Sequence, residues 1–316
     1  MATRNANNYK ICIVKESSYG AINKTLTTAG GAVFFADKLE WNYAPITVEL
    51  AKKENSLYKA AERTRITGKL VTGTLSGELT DGHEILLQAH FDDATSPYLY
   101  AAALPTTLSY NIYQLYLDSA GAVTHYDVIL GAIINPLVIS GEANGVIQYT
   151  ATIEGTDYLQ QQANSAGTAL TLTNGTVVNG TPFLFGDVTC TTHTSKTTLL
   201  SFNLELRKTM VDNSQRFMNS RTKANDYYNQ VGGTLQMSTL NDPAVDVYTN
   251  KQEANSFLNT ITLVNPQKTW AIAIGGDLTD LQRPDADRGL FVTNETFDLC
   301  TDTDTTVPVT ITVTAL

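Results

Sequence analysis

"KLVTGTLSGELT", residues 69–80, alternates with a period of two: Val71, Gly73, Leu75, Gly77 and Leu79 fall on one side and Thr72, Thr74, Ser76, Glu78 and Thr80 on the other. That is the pattern of a strand with one buried and one wet face. "QVGGTLQMSTL", residues 230–240, repeats it, with Val231, Gly233, Leu235 and Met237 on the apolar parity. A strand that recurs half a chain later predicts a doubled architecture, so self-similarity has to be traced before any motif is weighed.

The similarity extends well past one strand. "VFFADKLEW" (33–41) is answered by "FLFGDVTCT" (183–191), aligning Phe35 with Phe185 and Asp37 with Asp187. "ITVELAKK" (46–53) is answered by "FNLELRKT" (202–209), "RTR" (63–65) by "RTK" (221–223), and "VTGTL" (71–75) by "VGGTL" (231–235). The spacing grows steadily along the chain, as it does when one unit is doubled and the second copy gains loop residues.

Each copy continues alike. "DGHEILLQAHFDD" (81–93) carries Ile85, Leu86, Ala89 and His90 at the spacing of a short amphipathic helix. In the second copy Asp242 before Pro243 reads as a helix cap followed by proline at the first helical position. Strand pairs follow in both, turning at Ser119-Ala120-Gly121 and at Asn265-Pro266-Gln267-Lys268. Closing strands are expected at 145–155, with Ile147, Tyr149, Ala151 and Ile153 inward, and at 307–316. The expected fold is therefore mainly β: an N-terminal arm (1–32), a first β-sandwich or half-barrel unit (33–155), a Thr/Asn/Gly-rich linker (156–182) and a second unit (183–316), each unit with one short helix.

Composition narrows the function. The 316 residues are 42% hydrophobic and 16% charged, with a formal net charge of −10. Such a chain folds, but it lacks the basic stripe by which proteins grip DNA through counterion release. The start "MATRNANNYK" has no apolar run like that of a signal peptide, and no membrane-spanning run occurs, so a soluble protein is expected. Cys12, Cys190 and Cys300 are isolated, pointing to small buried side chains rather than a disulfide framework or zinc site. His83, His90, His125 and His193 show no metal spacing, and "PDADRG" (284–289) lacks most ligands of a calcium loop. No nucleophile elbow, phosphate loop or dinucleotide fingerprint is present. The sequence thus assigns no catalytic, cofactor or metal residue, and a non-enzyme is expected.

In its order of features the sequence resembles the major tail tube proteins of long-tailed bacteriophages. An alternating strand ends in a basic segment ("ITVELAKK", "FNLELRK"), a long polar excursion follows, and a return strand "GTLSGELT" leads into a helix and a further strand pair. The resemblance runs from about Gly30 onward and rests on order and doubling rather than on one motif. It implies two tandem tube units that close with their neighbours into an oligomeric β-barrel ring. It implies further that homotrimer rings imitate six-fold symmetry, with homohexamers the alternative, and that rings stack axially into a hollow tube. The partners implied are the chain itself, the tape-measure, baseplate and terminator proteins, and double-stranded DNA passing without specific contact. No membrane or cofactor is implied, and the place is the virion tail after assembly in the host bacterial cytoplasm. A tail terminator, another virion ring or decoration protein, or a carbohydrate-binding β-sandwich are the competing readings.

Physics independent of the family favours closure, because joined edges remove the hazard of exposed ones and a barrel of roughly two dozen strands leaves an open lumen. Charge is also unevenly placed. Lys52, Lys53, Lys59, Arg63, Arg65 and Lys69 gather in one loop region and Arg207, Lys208, Arg216, Arg221 and Lys223 in its counterpart, whereas Asp277 to Asp304 is acid-rich. These basic residues are the candidate inter-ring contacts, docking on an acidic face of the adjacent ring, and Glu78 is the candidate lumen residue. Reversing Lys52, Lys53, Arg63 and Arg65 together to Glu is expected to block tube elongation while leaving the fold intact, as read by electron microscopy and circular dichroism.

Overall fold

A computed structural model describes residues 9–27, 31–35, 37–49, 64–100, 108–165, 169–172, 180–192, 195–210, 228–240, 256–287, 290–300 and 307–316. The first half lays down β1 (Tyr9–Lys15), β2 (Thr25–Leu26), β3 (Val33–Phe35), β4 (Lys38–Glu49) and β5 (Thr64–Glu78). It continues with α1 (Glu84–Phe91), β6 (Tyr98–Leu99), β7 (Tyr110–Leu117), β8 (Val123–Glu142), β9 (Gln148–Gly155), β10 (Asp157–Ala163) and β11 (Thr171–Leu172). The second half lays down β12 (Thr189–Thr192), β13 (Ser195–Thr197), β14 (Leu199–Met210) and β15 (Tyr228–Leu240). It ends with β16 (Ser256–Val264), β17 (Lys268–Asp287), β18 (Leu290–Leu299) and β19 (Val309–Ala315).

The protein is mainly β, antiparallel throughout its large sheet, with one short helix among the described residues. The opening stretch behaves as its alternation requires: Val71 and Leu75 are fully buried and Leu79 nearly so, while Glu78 is exposed.

In the first half β1 pairs with β3 and β7, β7 with β8, β8 with β9 and β10, β9 with β5, and β5 with β4. In the second half β12 pairs with β13 and β16, β16 with β17, β17 with β18 and β19, β18 with β15, and β15 with β14. The two sets correspond strand for strand, and β8 and β17, at the same place in each, are both 20 residues long.

This correspondence corrects three sequence alignments, the first of which sets β3 (33–35) against β13 (195–197) rather than against 183–191. The strand that matches β9 is β18 (290–299), lying between β15 and β17, whereas 309–315 takes the place of β10. Leu39, opposite Leu75, corresponds to Leu204, opposite Leu235, so "LEWNY" (39–43) rather than "ITVELAKK" matches "LELRK" (204–208). The expected arm and linker are also not peripheral. Ile11 to Val14 of β1 are fully buried, and β10, inside the expected linker, pairs with β8. The helix expected after Asp242 lies outside the described residues.

The long strands β8 and β17 each serve two layers. The first part of β8 runs between β7 and β10, and its second part between β9 and β14. One sheet therefore runs β4-β5-β9-β8-β14-β15-β18-β17 through both halves, joined where Leu137–Glu142 meets Ser201–Leu206. Beneath it one apolar core spans the two halves, and a smaller one around Cys12, Phe34 and Tyr126 lies on the far side of β1 and β7. At the join Leu204, Leu206, Leu137 and Ile139 are at most 1% exposed; each large apolar side chain so buried contributes roughly 1.5–3 kcal/mol. Gly233 on β15 has φ +147°, and a Cβ there would lie 1.9 Å from the Glu205 carbonyl oxygen, so no other residue fits.

A buried ion pair reinforces the join. The Lys208 ammonium donates to Asp92 Oδ2 at 2.6 Å, with side chains 3% and 0% exposed. Asp92 is the left-handed residue that ends α1, and its other oxygen accepts from the Leu108 N–H at 2.9 Å. Burial pushes the Asp92 carboxyl up, against the pull of Lys208. Removing one partner strands the other charge in the interior. Lys208→Met is therefore expected to cost about 3–5 kcal/mol in chemical denaturation, and adding Asp92→Asn to it is expected to recover most of that loss.

Candidate assembly surfaces

The face of the eight-strand sheet turned away from the core is predominantly polar, with Val138 and the Leu240–Val292 pair as apolar positions. One row of directly opposed positions reads Lys38, Ser76, Thr150, Val138, Glu205, Thr234, Asp298, Asp277 across all eight strands. The neighbouring row reads Glu78, Gln148, Ser140, Asn203, Gln236, Thr296, Asp280. Glu40 and Glu142 stand on the same face. Its cations, among the described residues, are Lys38 and Arg207, and each binds a carboxylate of its own strand: Lys38 to Glu40 at 2.6 Å, and Arg207 Nε to Glu205 at 2.9 Å. The surface is thus hydroxyl- and amide-rich with an acidic excess. Around the join it is concave, enclosing a cleft of about 740 Å³ lined by Ser140, Gln148, Asn203, Gln236 and Asn294.

The sheet does not close on itself. Among the described residues β4 pairs only with β5, and the part of β17 beyond Asp277 pairs only with β18. Two-stranded ribbons leave the sheet where its other strands stop: β4–β5 before Val71, and β14–β15 beyond Leu206. They lead toward residues 50–63 and 211–227.

The residues predicted as inter-ring contacts divide accordingly. Lys52, Lys53, Lys59, Arg63, Arg216, Arg221 and Lys223 lie outside the described residues. Arg65 and Lys69 stand on β5 opposite Val48 and Pro45 on the first ribbon, with their side chains outside the described part. Arg207 is exposed at the foot of the second ribbon. Lys208 is the correction: it is buried and tied to Asp92, because its parity on β14 turns it to the core, so it joins the two halves and is not part of an exposed contact loop. Glu78 is exposed on the polar face, opposite Gln148.

Interior polar groups serve the fold. The Thr80 N–H donates to His83 Nδ1 at 3.0 Å, which leaves the proton on Nε2 to be donated to Asp37 Oδ2 at 2.7 Å. Tyr149 donates to the same oxygen at 2.7 Å, and the His83 ring stacks on Phe35 at 4.7 Å. The group caps the 3-10 turn Asp81–His83 that starts α1. The buried Glu16 carboxylate accepts from the Gly20 and Gly131 N–H groups, Ser109 Oγ and Asn111 Nδ2. These networks are built from residues far apart in sequence, and local spacing gave no sign of them. Among the described residues no cluster of three or more His, Cys, Asp or Glu suits a metal ion, and no helix is long and apolar enough to cross a membrane.

Compared with known proteins, the sequence matches no family model and no curated protein. Assignment therefore rests on the surfaces themselves.

One buried acid is left incompletely satisfied. Glu295 on β18 is 5% exposed and its Oε2 has no hydrogen-bond partner. Burial pushes its carboxyl from 4.5 up to about 7, opposed only by a hydrogen bond from Thr239. A raised folded-state value means stability that is present below pH 4.5 and lost as pH rises through 7. At about 1.4 kcal/mol per unit the loss is on the order of 3 kcal/mol. Glu295→Gln is therefore expected to gain stability over the parent progressively between pH 5 and 8 in thermal melts; a pH-independent difference would contradict this assignment.

Proposed function

We propose that this chain is a structural virion protein of the phage tail-tube type, an internally duplicated unit that assembles into stacked rings around a channel for the genome. The observation that carries the reading is the strand-for-strand correspondence of the two halves. They share one sheet that ends in two unpaired edges and presents a concave, acidic, hydroxyl-rich face. A sheet that is repeated but not closed is completed by more of itself, and closure removes edges that would otherwise recruit strands at random. Three chains of eight such strands give a barrel of about two dozen, wide enough for an open lumen.

The polar face suits the inside of that barrel. Duplex DNA carries a dense row of phosphates, and a wall of free lysine or arginine would hold it by counterion release. Here Lys38 and Arg207 are already neutralised, and carboxylates repel the phosphates, so the duplex slides. Glu78 belongs to this wall. The basic stretches at the ends of the ribbons remain the proposed inter-ring contacts, with Lys208 removed from that set.

Electron microscopy of the purified protein tests the reading. Hollow rods are expected; single rings that never stack favour a tail terminator, and monomers at all concentrations favour a binding module.

A further inference from the structure

The join inside the chain identifies what fits its two open edges. Positions are matched through the intervening strands. Leu75 stands opposite Leu39 and Ala151, and Leu235 stands opposite Leu204 and Phe297. Trp41 therefore takes the place of Leu206, and Tyr43 that of Lys208. Through β9 and β18, Leu137, Val138, Ile139 and Ser140 correspond to Leu278, Asp280, Leu281 and Gln282.

Burial at these matched positions differs in one direction. Within the chain Leu204 and Leu206 are 0%, Leu137 1% and Lys208 3% exposed, covered by the strand across the join. At the open edges Leu39 is 7% exposed, and Trp41, Tyr43 and Leu278 are only half-buried. Each of these more exposed positions lies on an edge that has no partner strand among the described residues. Trp41 and Tyr43 pack on Tyr158 at 4.9 and 4.8 Å, an aromatic group at the sheet margin of the kind that anchors interfaces.

We infer that β4 of one copy pairs antiparallel with the second part of β17 of the next copy, in the register of β14 on β8. That sets Leu39 opposite Leu281, Lys38 opposite Gln282 and Glu40 opposite Asp280. The inference rests on the assembly reading above and adds the partner, a second copy of this chain joined head to tail. Because the two edges are different surfaces, the contact is heterologous and repeats until the rotation closes. Every other join in the ring is then the internal β8–β14 join of one chain, so a ring of six such joins would hold three chains. Glu40 opposite Asp280 sets like charges together, which the Lys38 ammonium on Glu40 partly offsets.

Cysteines at a true cross-strand pair lie within disulfide range. In a Cys300→Ser background, Lys38→Cys with Gln282→Cys is expected to give a covalent trimer on a non-reducing gel, collapsing to monomer with reductant. Asn42→Cys with Gln282→Cys, out of register, is expected not to link. Independently of any variant, amide exchange in residues 38–44 and 278–287 of the parent is expected to slow on assembly. Rings seen by microscopy with neither the link nor the slowed exchange overturn the edge assignment and leave the assembly reading standing. A disulfide formed within one chain also overturns it. A parent chain that stays monomeric by light scattering at all concentrations removes both.

Discussion

A strand edge is a row of backbone donors and acceptors that another strand, a side chain or water must satisfy. The β8–β14 join is where this chain meets that requirement internally, and the rest of the architecture is arranged around it. Leu137–Glu142 and Ser201–Leu206 continue one ladder across the two halves of the chain. The ladder meets an obstacle at Pro136, which has no N–H to donate. The preceding side chain takes over: the Asn135 amide accepts from the Lys208 N–H at 2.8 Å and donates to the Lys208 carbonyl at 2.7 Å. The same lysine then sends its ammonium to Asp92 at the end of α1, so backbone and side chain of one residue tie strand, helix and neighbouring sheet together.

The halves are alike in pairing and unlike in chemistry at the matched positions. Tyr43 stands where the second half has Lys208, and it packs on Tyr158 within its own half rather than entering an ion pair. Tyr149 stands where the second half has Glu295. The tyrosine hydroxyl completes the Asp37 and His83 network, whereas Glu295 keeps an unpaired oxygen. The internal join is thus held by a buried charge pair, whereas the corresponding outer edge carries aromatic side chains packed on Tyr158.

Much of this architecture was legible because strand periodicity is a local signal. The alternation in 69–80 and 230–240 placed β5 and β15, the helix at Glu84–Phe91 followed its apolar spacing, and both hairpin turns fall where the Ser-Ala-Gly and Asn-Pro-Gln-Lys stretches put them. Register was not legible. "ITVELAKK" and "FNLELRKT" share composition and parity, but which residues are equivalent depends on the strands opposite, and pairing selects 39–43 instead. The same limit hid the role of 290–299, since a closing strand is defined by its neighbours and not by its own alternation. Lys208 was misread for a related reason. A basic residue within a basic run reads as solvated, yet one step of strand parity separates exposed Arg207 from buried Lys208.

The polar face carries a cost that a merely solvated surface need not bear. Asp298 stands directly opposite Asp277, and Glu205 and Thr234 continue the row without a free cation beside them. Opposed like charges destabilise a sheet by a few tenths of a kcal/mol to ~1 kcal/mol per pair, and exchanging one of them for lysine would turn the loss into a gain. The lysine and arginine that do stand on this face sit two residues from a carboxylate of their own strand, so their charge is spent locally. Such an arrangement lowers the stability of the chain and leaves this surface, among the described residues, with no unpaired positive charge. Stability alone gives no reason for it. The proposed tail-tube role would supply one, because each unpaired cation beside a moving polyanion would add a point of retention and each carboxylate would remove one.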